Sequence, residues 1–101
     1  MKHSTRSYYA VIFTSELNDN PEGYTEMAQK IEALAKQQKG FLGMESAREK
    51  TGITISYWET LEDIKNWKTQ SEHLIAQQLG KEKWYKKYTV RVCKVEREYG
   101  K

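Results

Sequence analysis

Trp58, Ser56 and Thr54 occupy alternate positions of the run Ile53-Thr54-Ile55-Ser56-Tyr57-Trp58. On an extended strand that spacing puts one indole and two hydroxyls on the same face. An indole gives a broad apolar surface with a single N–H donor, and a hydroxyl both donates and accepts a hydrogen bond. A strand end that combines these groups could line a pocket, and any chemistry of the chain would sit there. Ser15, near the end of an earlier apolar run, supplies another hydroxyl, and Phe13 two residues before it supplies a ring. His73 is one of two histidines, the other lying at position 3, and there is one cysteine, Cys93. That inventory cannot build a closed zinc site. No glycine-rich phosphate loop, nucleophile elbow or dinucleotide fingerprint is present. A strong general base is missing too.

These residues must be positioned by the stretch Gly52–His73 (GITISYWETLEDIKNWKTQSEH), which begins as the strand just described. It turns at Glu59-Thr60 into a helix with Leu61, Ile64 and Trp67 on its apolar stripe. Thr60 followed by Asp63 is a capping-box-like start, whose hydroxyl can satisfy an orphan N–H of the first turn. Elsewhere, Tyr8–Leu17 reads as a strand apolar on both faces. Asn20 is expected to cap a helix over Glu22–Gln38 with Pro21 at its first position, and Gly40 is the natural stop. Tyr24, Met27, Ala28, Ile31, Leu34 and Ala35 form its apolar stripe. Phe41–Arg48 is a second strand, joined by the turn Glu49–Gly52 to the third. The second helix is expected from Leu61 to Leu79, with a break and restart near Thr69, where Thr69 and Glu72 form another capping pair. A basic-aromatic segment, Lys81–Lys87, precedes a last strand over Tyr88–Glu98.

The order β-α-β-β-α-β predicts an α+β, ferredoxin-like fold: a four-stranded antiparallel sheet with both helices on one face. A chain of 101 residues is expected to form one domain over residues 8–101, after a flexible start over residues 1–7. The strands carry Tyr, Ile, Val and Phe at both parities, so the face without helices is also apolar. A second copy packed sheet against sheet would cover it, which predicts a homodimer. The net charge of +3 is too mild to imply a nucleic-acid or membrane partner. Mean hydropathy is −0.90, no apolar run is long enough to span a bilayer, and the single cysteine suits a reducing compartment. A soluble, cytoplasmic protein is expected.

The start Gly40-Phe41-Leu42-Gly43, the strand end Tyr57-Trp58-Glu59, and a helix bearing Ile64, Trp67 and Glu72-His73 resemble the antibiotic biosynthesis monooxygenase (ABM) domain family. The resemblance extends from about Tyr8 to Val95 and implies a dimeric α+β barrel. The family includes cofactor-independent oxygenases of aromatic polyketides and haem-degrading monooxygenases. It implies a pocket between sheet and helices, with a tryptophan ending the third strand, here Trp58. An asparagine on the first strand falls on Ser15. In the haem-degrading branch a helical histidine ligates iron; that position falls near Gln77, one helical turn beyond His73. The resemblance therefore implies Trp58 and Ser15 as catalytic groups. Phe13, Ser56, Trp67, His73 and Gln77 would line the pocket, with no metal and no cofactor, and haem is disfavoured. The expected activity is monooxygenation of an electron-rich aromatic small molecule. A non-catalytic dimer binding a small molecule or haem is the alternative.

The same element order builds the RNA-recognition motif, and Lys39–Ser46 echoes its signature superficially. The stacking positions are occupied by Gly43 and Ser46, however, and the segment lies on the second strand rather than the third. Nucleic-acid binding is set aside on that ground. Trp84 and Tyr85 are expected to pack the end of the barrel or a partner, and Cys93 to be a small buried thiol.

Overall fold

A computed structural model of the protein describes residues 7–77 and 84–101. Except for Ser7, the expected flexible start lies outside that range. So do positions 78–79 of the expected second helix and 81–83 of the basic-aromatic segment. The elements run β1 (Tyr8–Leu17), α1 (Tyr24–Lys36), β2 (Phe41–Arg48), β3 (Gly52–Trp58), α2 (Leu61–Gln77) and β4 (Tyr85–Val95). The sheet has the order β2-β3-β1-β4, with every neighbouring pair antiparallel. This is the expected ferredoxin-like α+β arrangement.

The register of β1 assigns residues to faces. Tyr9 lies opposite Trp58, Val11 opposite Ser56, Phe13 opposite Thr54 and Ser15 opposite Gly52. Directly paired residues share a face, so the odd residues of β1 stand with Trp58 and Ser56. Helices cover that face: Ala35 of α1 and Ile64 and Trp67 of α2 enclose Trp58 in the core. Tyr9, Val11, Ile31, Leu34, Phe41 and Met44 pack around them. Phe41 and Met44 reach the same face although their numbers differ in parity. A bulge between Phe41 and Gly43 takes up Leu42 as an extra residue, turning the strand by one side-chain position.

Both ends of α1 and of β4 differ from the sequence expectation, α1 stopping at Lys36 and β4 at Val95, and three differences have a visible cause. First, α1 starts at Tyr24, because Asn20-Pro21-Glu22 forms a turn in which the Tyr24 N–H donates to the Pro21 carbonyl. Gly23, at φ 85°, is the N-terminal cap instead of Asn20; only glycine enters that left-handed region freely. Second, α2 is continuous from Leu61 to Gln77, with no break at Thr69. The Thr69 hydroxyl donates back to the Lys65 carbonyl at 3.3 Å and so joins the helix it was expected to interrupt. The other cap holds: the Asp63 N–H donates to Thr60 Oγ1 at 3.0 Å. Third, β4 begins at Tyr85, three residues early. Trp84 locks that end, its carbonyl accepting from the Asn18 N–H and its indole N–H donating to the Glu22 carbonyl, both at 2.8 Å.

The face without helices carries Tyr8, Ala10, Ile12, Ile53, Ile55, Tyr57, Cys93 and Val95. Cys93 is half-buried there rather than buried. Two carboxylates sit over its tyrosines: Tyr8 donates to Glu98 and Tyr57 to Glu45, at 2.5 and 2.6 Å. The Glu45 bond, followed by desolvation, pushes the Tyr57 phenol up to about 12.

Trp58 has no exposed surface and is the largest side chain so buried. Truncation there removes the centre of the helix–sheet contact. Trp58→Ala is expected to cost about 3–5 kcal/mol, read as a lower urea midpoint at unchanged m-value. A loss below about 1 kcal/mol would mean that Trp58 is not the keystone of this core.

Candidate functional site

The sequence-derived candidates separate into two groups because of the β1 register. The first is centred on Trp58. Its indole N–H donates to Ser56 Oγ at 2.9 Å, its ring stacks on Trp67 at 5.7 Å and it meets the edge of Phe41 at 5.5 Å. The one polar atom of the indole is thus used internally, and all its faces are occupied by protein. Ser56 is also buried. Trp58, Ser56 and Trp67 form a satisfied core triad.

The second group gathers around Ser15, six positions along β1 from the residue that faces Trp58. At a rise of ~3.3 Å per residue, that separates Ser15 from Trp58 by about 20 Å. The expectation that they flank one ligand is therefore corrected: an antiparallel register that puts Tyr9 opposite Trp58 puts Ser15 at the other end of the sheet.

Ser15 is 3% exposed, and its hydroxyl accepts a hydrogen bond from Arg48 Nη2 at 2.5 Å. Arg48 Nη1 also donates to the Ser15 carbonyl at 3.4 Å. Arg48 ends β2 and Ser15 lies on β1, with β3 between them. The guanidinium crosses β3 over Gly52, which pairs with both Arg48 and Ser15. A Cβ built on Gly52 would lie 2.1 Å from Arg48 Cζ. Glycine is needed here for space.

Beyond the guanidinium lies a set of rings. Arg48 Cζ stands 5.4 Å from the centre of the Tyr24 ring, within cation–π range, and Nη2 donates to the Tyr24 hydroxyl at 3.4 Å. Tyr24 meets Tyr85 edge to face at 5.8 Å, Tyr85 meets Phe13 at 5.4 Å, and Phe13 stacks on Tyr88 at 5.5 Å. Tyr85 joins this face only because of a second bulge, between Glu16 and Leu17. It pairs Leu17 with Tyr85 while Ser15 pairs with Tyr88. Without that irregularity Tyr85 and Tyr88, three apart, would project to opposite faces.

Burial raises the Tyr85 pKa strongly, and the nearby Tyr24 phenol adds to the rise; the Arg48 charge opposes it without reversing it. Tyr85 is therefore a neutral phenol at neutral pH and not a base. From the ring cluster, Tyr88, Val90 and Val92 follow along one face of β4 at 41%, 49% and 50% exposure. They pair with Ser15, Phe13 and Val11, so they lie on the helix side of the sheet, where the helical cover stops short of β4.

Of the remaining candidates, His73 is exposed on α2, and the Gln77 side chain lies outside the described residues. Among the described residues, no three His, Cys, Asp or Glu side chains gather as metal ligands do. No helix among them is long and apolar enough to cross a membrane. Of the residues gathered here, sequence reasoning singled out Ser15 and Phe13; it did not place Arg48, Tyr24, Tyr85 and Tyr88 beside them. The available signal was Gly52: a glycine at a strand position asks what approaches its backbone.

A family profile described as monooxygenase af470-like matches residues 12–94. The uncharacterized protein YqjZ of Bacillus subtilis (strain 168) is 47% identical over 93 residues, covering 90% of this chain and 82% of that protein. Among solved structures, a mutant of SnoaB, a cofactor-independent oxygenase from Streptomyces nogalater, superposes with a TM-score of 0.76 at 10% identity. It covers 93% of this chain and 98% of its own. A Nitrosomonas europaea protein assigned as an antibiotic biosynthesis monooxygenase gives 0.71 at 11% identity, covering 99% and 100%. At such identities the two structures share the fold.

The raised tyrosines generate a pH dependence. Below pH 10 the phenols are neutral in both folded and unfolded chains, and the stability linked to them is fully present. As pH rises above 10 the unfolded chain ionises first, so stability falls across the window from about 10 to 12 and beyond. Tyr85→Phe is expected to flatten that fall, measured as urea midpoints at pH 8, 10 and 11. An identical slope in both proteins would show that Tyr85 is not held neutral by its site.

Proposed function

The chain belongs to the af470-like monooxygenases, of the ABM type, and from that premise we propose that it oxidises an electron-rich aromatic small molecule at the Ser15 end of β1. The observation that supports the reading is the ring cluster Phe13, Tyr24, Tyr85 and Tyr88, set beside a buried hydroxyl on the helix side of the sheet. Aromatic walls hold a planar substrate by offset and edge contacts. Ser15 and the tyrosine hydroxyls supply hydrogen bonds that fix its orientation.

The proposed reaction draws its electrons from the substrate. An activated ring-bound CH2, as in an anthrone, loses a proton, and the resulting anion passes an electron to dioxygen. A C–O bond forms to give a peroxide; the O–O bond then breaks, water leaves and a ketone remains. One CH2 and one O2 become one C=O and one H2O, so no external reductant enters. The protein's part is to stabilise the anion, hold oxygen near it and keep bulk water away. In this reading Ser15 and Phe13 keep the roles expected of them, and Trp58, Ser56 and Trp67 hold up the sheet beneath.

We also propose a homodimer through the face without helices. That face presents Ala10, Ile12, Ile53, Ile55 and Val95, an apolar set that neither α1 nor α2 covers. Obligate interfaces of this kind bury on the order of 2,000 Å² or more. Sedimentation equilibrium at micromolar protein should give a mass near twice 11.9 kDa. A folded species at the single-chain mass would exclude the dimer.

The activity is tested by oxygen uptake with an anthrone, without added metal, flavin or reductant, and with the ketone product identified by mass. Tyr88→Ala alters an exposed ring and leaves the core intact. It is expected to lower kcat/KM at least tenfold, about 1.4 kcal/mol of transition-state stabilisation. Uptake equal to the protein-free rate would refute the enzymatic reading. Uptake unaffected by Tyr88→Ala would move the site away from this cluster.

A further inference from the structure

We infer that Arg48 is an anion-recognising residue, and that the ligand taken at the ring cluster is a planar aromatic carrying a carboxylate or phenolate oxygen. The inference rests on the proposed aromatic site and names the class of molecule that it takes. Three features of the guanidinium carry it.

The first is its placement. A surface arginine normally sweeps a wide volume, and ordering so long a side chain costs rotamer entropy. Here it is held by two bonds to Ser15, one to the Tyr24 hydroxyl and the face of the Tyr24 ring. Each contact comes from a different place in the chain: β1 gives the serine, the start of α1 gives the tyrosine, and β3 gives a glycine that leaves the crossing clear. A guanidinium fixed in advance loses less freedom when it meets a ligand.

The second is its charge. Its partners among the described residues are a hydroxyl, a carbonyl, a phenol and a ring, all formally neutral. The exposed pairs Lys36–Glu32 and Lys87–Glu16, by contrast, show lysines that do meet carboxylates. Among the described residues no carboxylate lies within ion-pair distance of Arg48. The positive charge stands ready and uncompensated, with N–H groups left over after its three hydrogen bonds.

The third is what lies beside it. From Tyr24 a largely apolar strip runs through Tyr85, Phe13 and Tyr88 to Val90 and Val92, with the last three residues half-exposed. A cation at one end of an apolar aromatic strip complements a molecule with an anionic oxygen at one end of a flat ring system. It does not complement a neutral hydrocarbon or a cation. A phenolate or carboxylate there would gain charge-assisted hydrogen bonds, about twice as strong as neutral ones.

The test is a binding measurement that requires no turnover. Isothermal titration calorimetry at pH 7 compares 2-naphthoate, an anion, with 2-naphthol, a neutral molecule of similar shape. The wild-type protein is expected to prefer naphthoate by roughly 10- to 100-fold, the range of a hydrogen bond to a charged group. Arg48→Gln should reduce the preference to less than about threefold while naphthol binding persists. Gly52→Ala keeps the charge but places a methyl in the path of the guanidinium; it should lose the same preference with thermal unfolding near that of the wild type. Equal affinity for both probes, a preference that survives Arg48→Gln, or no binding of either would overturn the inference. If a second copy covers Tyr88, Val90 and Val92 instead, neither probe binds and Val90→Asp converts a dimer to a monomer. Oxygen uptake on the same proteins separates the two readings. Uptake without anion preference defeats the role of Arg48 and leaves the monooxygenase standing; anion preference without uptake does the reverse.

Discussion

The pairing of β1 with both its neighbours is the constraint on which the rest of this structure depends. A strand's side chains alternate, so one register decides which residues meet the helices and which meet the opposite face. With Tyr9 opposite Trp58, every odd residue of β1 turns toward α1 and α2. Val11 enters the core, Phe13 enters the ring cluster and Ser15 meets Arg48. A slip of one residue would exchange these for Ala10, Ile12 and Thr14 and dismantle core and cluster together. The apolar residues at both parities mean that hydrophobicity alone does not choose the register. The large Trp58 ring, enclosed by Phe41, Ile64 and Trp67, has no equivalent on the other face and makes that choice.

Two bulges then depart from strict alternation, and each assembles one of the two groups of rings. At Leu42 the extra residue brings Phe41 against Trp58 and completes the core. Near Glu16 and Leu17 the other brings Tyr85 beside Phe13 and Tyr88. Trp84 supports that second bulge by clasping the turn after β1 through both its carbonyl and its indole. The same turn sets Gly23 and so the start of α1, which delivers Tyr24 to Arg48. Loop, bulge and helix start are one linked assembly, and its product is the ring cluster.

Much of the fold was legible because it follows from local pattern. β1 and β3 lie where β-branched and aromatic runs put them, and the stripe of α1 faces the sheet as its periodicity requires. The errors mark where longer-range contacts overrule local preference. Asn20-Pro21 reads as a helix start until Trp84 holds Glu22 in a turn. Thr69 reads as a cap until its hydroxyl bonds to Lys65. Ser15 and Phe13 were identifiable as candidates, but their partners were not. Arg48 is 33 positions from Ser15 in sequence, and no spacing rule connects them. Tyr85 was beyond reach for another reason, since a bulge reverses the parity on which strand reading relies.

The division between the two groups has a chemical logic. Trp58 is surrounded and its one donor is spent on Ser56, so its energy goes into holding α2 against the sheet. The Ser15 end is built the opposite way. Its polar atoms are ordered but not exhausted, its rings are left partly bare, and its cation meets no carboxylate among the described residues. Such a surface adds little to stability, because Arg48 stays exposed to solvent and the Tyr88 ring is only partly covered. Burial also keeps Tyr85 neutral, so one fixed positive charge stands close to an uncharged phenol. That electrostatic pattern opposes the binding of cations and favours negative charge that develops on a ring close to Arg48. A reaction that passes through an aromatic anion requires that bias where the anion forms. The core around Trp58, with its charges excluded and its donor satisfied, has no means of supplying it.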